Sequence, residues 1–425
     1  MTEMRQLWKI RSAVSLGLLV LLSAPTASSY SVLTHEAIID SVWDTSIKGL
    51  LLDRFPDATA DELAQAHAYA YGGSIIQDMG YCPFGSKFFG DLLHYVRSGD
   101  FIFNLIGESQ DLNEYAFSLG ALAHYAADNS GHPMAVNQVV PLLFPKLNLQ
   151  FGARVTYADD AFSHVSTEFA FDVLQVAQGH YAPDAYHGFI GFEVARPVLE
   201  RAFQDTYGMK MGDIFTSVSL AIGSYRRSVG SIVPAMTRVA WKLKKAEIIK
   251  DAPNTTRKKF LYNLSRASYQ KNWGNEYQRP GRRSSVLTFL VRIMPRVGKS
   301  RDLRFRMPTP AAEKLFMASF NTTLDRYREL LAAQKADRLM LPNRNFDVGD
   351  NTEAGKYKLS DHAYARLLDK LEGHYTEMPE GLRLDILAFY GDLSAPIATK
   401  TDTKGWEQVI KELDELKAVS VATAQ

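Results

Sequence analysis

The sequence predicts an all-α protein, and two observations carry that expectation. Long proline-free stretches rich in Ala, Leu and aromatic residues, such as Leu112–Asp128, have the composition of buried helices. The apolar/polar alternation that marks half-buried strands is scarce, and no repeat of fixed period is present.

In chain order, Tyr30–Leu52 is expected to be the first helix, with Thr34 as its cap and His35, Ile38, Ile39 and Val42 on one side. Phe55–Thr59 is a turn, and Asp61–Gly72 is an alanine-rich second helix. Glycines and Pro83 break up the irregular stretch that holds Asp78, and His94 follows. Leu112–Asp128 is the central helix, which Gly131 and Pro133 are expected to end, leaving His132 at a frayed terminus. Pro141–Ala158 reads as a connector without clean period, and Asp159–Gln178 as a helix leading to a loop. Val194–Phe203 and Asp213–Ile249 are mostly helical, with Pro197 in a first turn and Pro234 kinking or splitting the longer segment. The chain breaks at Asp251–Asn254. A helix opens behind Pro310 and runs to Ala333, Asn343–Asn351 is polar loop, and Ser360–Glu372 and Trp406–Val419 are amphipathic helices.

The N-terminus has the pattern of a secretory signal: a basic flank (Arg5, Lys9, Arg11), an apolar run over Ala13–Leu22, then small residues. Cleavage fits after Ser29 or after Ala27, and an uncleaved anchor is the alternative. Export, secreted or periplasmic, is the expectation in either case. The organisation is therefore residues 1–29 as signal, 30–250 as a helical domain and 251–425 as a further helical region. A net charge of +1 gives no global case for a nucleic-acid partner. The one cysteine, Cys82, excludes an internal disulfide and is expected to be a buried small hydrophobe.

Chemistry concentrates before residue 170. His124 and Asp128 stand four apart, as do His164 and Glu168, so on a helix each pair leaves one face a turn apart. A buried imidazole beside a buried carboxylate is costly unless a cation joins them. With His35, Asp78, His94 and His132 they make eight candidate metal ligands between residues 35 and 168. Imidazole and carboxylate suit zinc, and eight ligands exceed what one tetrahedral ion takes, so two or three ions are expected. Neighbouring zincs serve phosphoester hydrolysis by acidifying water and clamping the attacking and leaving oxygens.

The order His35, Asp78, His94, the HYxxD motif at His124–Asp128 ending in His132, and the HxxxE motif at His164–Glu168 resembles the zinc-dependent phospholipase C family, which shares its fold with single-strand-specific zinc nucleases. The resemblance covers about Tyr30–Leu174. It implies an α-helical bundle with a trinuclear zinc site. On this likeness Asp78, His94, His124 and Asp128 hold the first ion. Tyr30, through its terminal amine and carbonyl oxygen, holds another with His35 and Asp128. His132, His164 and Glu168 hold the third, and Asp78 is also the general base. Three departures are visible: Tyr30 stands where the family usually has Trp, His132 lies four after Asp128 rather than six, and the gap from His132 to His164 is long. The expected activity is a phospholipase C releasing diacylglycerol and a phosphorylated headgroup. A single-strand nuclease or nucleotidase on the same scaffold, or a non-catalytic module that keeps zinc only for folding, are the alternatives. The basic segment Arg279–Arg306, with Phe289 and Leu290 among its apolar residues, reads as a surface for anionic lipid, as a track for a nucleic-acid backbone, or as a solvated face.

Overall fold

The structure, a computed structural model, describes residues 31–181, 190–257, 259–260 and 306–423. The signal segment, Tyr30 and all but Arg306 of the basic segment lie outside the described residues. Among the described residues the chain is helical, with one isolated antiparallel bridge between Arg344 and Asn351.

The central helix spans Leu112–Gly131, and Asp111 caps it by accepting from the Glu114 N–H at 2.9 Å. Nearly all of its length is buried, as expected for a helix apolar on every side. Helix Ala60–Gly73 lies against it, opened by a capping box between Thr59 and Glu62. Two glycines permit the close approach. A Cβ on Gly73 would stand 1.9 Å from the Phe117 carbonyl oxygen, and one on Gly120 would stand 2.1 Å from that of Ala70. On its other flank runs Pro310–Lys335, capped by Thr309, whose Tyr327 hydroxyl donates to the Leu119 carbonyl at 2.7 Å. One apolar core therefore takes side chains from both sides of residue 250.

Several local expectations are corrected. The first helix is Val32–Val42, continued through a π turn, Trp43–Ile47, into Lys48–Arg54. Thr34 does not cap it: its hydroxyl donates to Asp172 Oδ1 at 2.8 Å, and the Leu33 N–H donates to Oδ2 at 3.0 Å. Gly131 and Pro133 do not stop the central helix. A π turn, His132–Val136, carries it into Asn137–Leu143, and His132 is buried rather than frayed. Proline lacks a donor for the preceding turn, and the wider turn accommodates that lack while redirecting the chain. The expected connector contains a second short helix, Pro145–Phe151. The segment 213–249 is split into Val218–Arg227, a π turn at Ser228–Ile232, and Val233–Asp251, so Pro234 falls in a first turn. Cys82 is buried and free, its thiol pushed up to about 12 by desolvation.

Candidate metal centre

Six elements deliver the ligand candidates. His35 comes from the first helix and Asp78 from the 3-10 turn Ile76–Tyr81. His94 comes from Lys87–Tyr95, where Ser86 caps the helix by accepting from the Phe89 N–H. His124 and Asp128 come from the central helix, with His132 just beyond it, and His164 and Glu168 from Ala161–Gln178. All eight are buried.

Their ligating atoms gather into three groups, each within 4.8 Å: His35, His124 and Asp128; Asp78, His94 and His124; His132, His164 and Glu168. Asp128 lies at the junction of the first two. Its Oδ2 is 3.1 Å from His124 Nε2 and 3.7 Å from His94 Nε2, and its Oδ1 is 3.7 Å from His35 Nε2. Asp78 Oδ1 sits 3.4 Å from His94 Nε2. In the third group Glu168 Oε1 is 2.7 Å from His164 Nδ1 and 3.8 Å from His132 Nε2. The His35 and His124 rings stack at 4.5 Å with 9° between planes, and the His132 and His164 rings meet edge-on at 4.8 Å.

The hydrogen bonds on the far side of four imidazoles decide what these groups can hold. His94 Nδ1 donates to the Gly90 carbonyl at 2.8 Å, His124 Nδ1 to that of Ser74 at 3.0 Å and His132 Nδ1 to that of Phe346 at 2.8 Å. His164 Nε2 meets Asn137 Oδ1 at 2.9 Å, and the Asn137 amide is oriented because its Nδ2 donates to the Asp347 carbonyl at 2.7 Å. A carbonyl oxygen only accepts, so the outer nitrogen of each ring carries a hydrogen, and in the neutral ring the inner one presents a lone pair. Those inner atoms, His94 Nε2, His124 Nε2, His132 Nε2 and His164 Nδ1, find no hydrogen-bond partner among the described residues; nor do both oxygens of Asp78 and Glu168 Oε1. Buried lone pairs aimed at one another and at carboxylates repel unless a cation lies between them. Outer hydrogen bonds that fix the tautomer are the support a metal-bound imidazole needs. The donor set, nitrogen and carboxylate oxygen without thiolate, fits zinc.

Electrostatics agree with a site built around positive charge. Burial, then the neighbouring His124, holds the His35 imidazole well below its ordinary value; burial, then His132, does the same at His164. Both rings are thus kept in the neutral, ligating form. Burial, then Asp78, Asp128 and Asp347, holds the Glu168 carboxyl well above the usual range. At Asp128 burial acts upward, but His124 and the other imidazoles outweigh it and keep the carboxylate ionised. Burial would lower His94, yet Asp78, then Asp128 and Asp347, raise it to about 9, so a metal ion binding at Nε2 takes the place of a proton there.

Residues that spacing did not single out complete the centre. The loop expected over Asn343–Asn351 does not merely cross the surface. Phe346 accepts from His132 and its ring packs edge-on to His94 at 5.4 Å. Asp347 is buried, with Oδ1 3.5 Å from His132 Nδ1; its Oδ2 accepts from Tyr95 at 2.8 Å and from Tyr357. Nothing local in Asn345-Phe346-Asp347 announces this role, because its partners at the metal centre, His94, His132 and Asn137, lie more than two hundred positions earlier. His67 lies apart from these groups as a buried core residue whose Nε2 meets Asp40 Oδ1 at 3.0 Å, stacked on Trp43.

Residues 34–215 match the family model described as zinc dependent phospholipase C. This part of the chain is a domain of the zinc-dependent phospholipase C family. The match takes in all eight described ligand candidates and stops well before Asp347. No curated protein and no solved structure matches the chain. The phospholipase C-type domain thus belongs to a family of zinc-dependent hydrolases, and its fold among the described residues is the helical one expected.

Proposed function

We propose that the chain is an exported, zinc-dependent phospholipase C. It cleaves the glycerol–phosphate bond of a phospholipid to release diacylglycerol and a phosphorylated headgroup. The observation that carries this reading is the set of inward lone pairs on His94, His124, His132 and His164, each fixed from outside and converging on Asp78, Asp128 and Glu168. The family match supplies the reaction class.

Asp78, His94, His124 and Asp128 would hold one ion, His35 and Asp128 a second with Tyr30 completing it, and His132, His164 and Glu168 a third. Bound zinc supplies Lewis-acid activation of water and neutralises charge on the phosphoryl oxygens. The protein's own part is proton handling and exclusion of bulk solvent. Asp78 has both oxygens free of hydrogen bonds among the described residues and is placed to take the proton of the attacking water. Water adds to phosphorus, the glycerol oxygen leaves and is protonated to the alcohol, and the headgroup keeps the phosphate. Glu at the last ligand position, rather than Asp, favours lipid over nucleic acid as substrate. The signal-like N-terminus supports a secreted or periplasmic location.

Phosphatidylcholine and single-stranded DNA assayed side by side test the reading. Hydrolysis of the lipid, abolished by a chelator and restored by zinc, is the expected result; turnover of DNA alone would overturn it.

A further inference from the structure

Between Asn137 and Ala158 the chain leaves the metal centre and returns to it. Asn137 bonds His164 on the way out. On the way back the Val155 N–H donates to the Asn137 carbonyl at 2.9 Å, closing the excursion at its base, and the Tyr157 ring packs edge-on to His164 at 6.0 Å. Val136, Val140 and Val155 form a small apolar cluster of their own, with Phe144 and Leu147 against it. Val139 and Leu143 reach the main core, so the segment is held by that core, by its own small cluster and by the site at its foot, and only its outer part, Pro145–Arg154, projects.

Its outer part is apolar where water would be expected. Helix Pro145–Phe151 buries none of its residues. Leu149 is 90% exposed, Leu142 52% and Phe151 38%. No acidic residue occurs from Asn137 to Ala158, while Lys146 and Arg154 are exposed. A third cation joins them: the Arg306 guanidinium donates to the Leu143 carbonyl at 2.7 Å and lies 5.1 Å from the Phe144 ring centre.

We propose that residues 145–154 are a docking projection that enters a phospholipid surface and sets the metal centre against it. Exposed Leu and Phe flanked by cations suit the boundary between acyl chains and headgroup phosphates. A second copy of the chain suits the face less well, because an isologous contact would bring the same cations together. Asn137–Leu143 is about 10 Å long at 1.5 Å per residue, so the apolar tip stands roughly one short helix from His164. The inference deepens the phospholipase reading, since it names the physical state in which the lipid is met.

Co-sedimentation of the full chain with vesicles of phosphatidylcholine, with and without phosphatidylglycerol, tests it without relying on turnover. The Leu149→Ser/Phe151→Ser double variant is expected to lose binding to both vesicle types by at least about tenfold. Lys146→Gln/Arg154→Gln loses binding only where phosphatidylglycerol is present, and most at low salt. Thermal melting and hydrolysis of a water-soluble, short-chain phospholipid below its micelle concentration stay at wild-type values in both. A chain that docks in this way yet hydrolyses no phosphodiester would remove the proposed reaction and keep the docking. Wild type that ignores vesicles would overturn the proposal, as would an apolar variant that binds like wild type. So would an apolar variant that turns a dimer into a monomer with vesicle binding intact, which would assign the face to a second copy.

Discussion

The groups around Asp128 and the group around Glu168 are built differently. In the first, the imidazole hydrogen bonds come from the N-terminal helices: His94 is fixed by Gly90 one turn away, and His124 by Ser74 just past the helix that the glycine contact brings close, with the Phe346 ring packed against both. The second depends on distant chain. His132 is fixed by Phe346 with Asp347 beside it, and His164 by an asparagine whose amide is oriented by the Asp347 carbonyl. The rings of one half are thus oriented by hydrogen bonds from within the matched family segment, and those of the other by a loop outside it, which packs against the first. The ligands of the second half sit at HxxxE spacing, but their aim is set by the C-terminal region.

Substitutions can break this contrast in order of effect. Asp128→Asn removes the carboxylate at the junction of two groups. Lying within 3.7 Å of His35, His94 and His124, it serves both, and its loss should cut zinc affinity there and phospholipid turnover by more than about 100-fold, since outer supports alone are worth 10–100-fold. Zinc per chain, set against turnover, reads it, and a variant with wild-type zinc content would dissolve the shared-ligand reading. Asp347→Asn should spare the Asp128 groups and weaken zinc at the Glu168 group by about 10–100-fold. Stepwise chelation resolves the two populations: in the variant one ion should leave early and the rest at the wild-type chelator concentration. Uniform loss would mean that the loop supports the fold as a whole and not one half of the centre.

Gly120→Ala attacks the other half through packing. Its new Cβ meets the Ala70 carbonyl, so the helices must part at a cost of about 1–3 kcal/mol, visible as a lower melting temperature. Because Ser74 moves with its helix, the orientation of His124 should loosen too, and zinc should leave the Asp128 groups more easily than the Glu168 group.

The smallest effect concerns Asp172, which ties the start of the first helix, and so His35, to Ala161–Gln178. Burial raises its carboxyl to about 7 against the restraining hydrogen bonds of Ser31, Thr34 and Leu33. A folded-state value above the unfolded one, near 4, means the native chain binds more protons between those limits. This group's contribution to stability is then greatest at the acid end of the window and is lost as pH rises toward 7. Melting of wild type and Asp172→Asn from pH 4 to 7.5 isolates it. The wild-type curve should fall relative to the variant by roughly a few degrees and then run parallel; parallel curves throughout would refute the assignment.

How much was legible in the sequence follows the same division. His124 with Asp128, and His164 with Glu168, could be paired because helical spacing places them before any tertiary contact forms. Leu112–Gly131 was legible because a proline-free apolar run leaves little choice. The π turn at His132 was not, since Pro133 ends most helices and only the bundle around it shows that a wider turn is tolerated. The aim of His132 was hidden for the same reason. Asn137, Phe346 and Asp347 had no local signature, because their role is to meet side chains far away in sequence. The connector at 141–158 lacked a period because one helix ends at Leu143 just inside it and the other, Pro145–Phe151, buries none of its residues.

The central claim is that the fixed inward lone pairs of these buried imidazoles hold zinc. Its most direct test is the zinc content of the purified, folded chain, measured before and after dialysis against a chelator. Two or three zinc ions per chain, removed by the chelator and recovered on re-addition, are the predicted result. A chain that folds and melts cooperatively while binding no zinc at any step would contradict it.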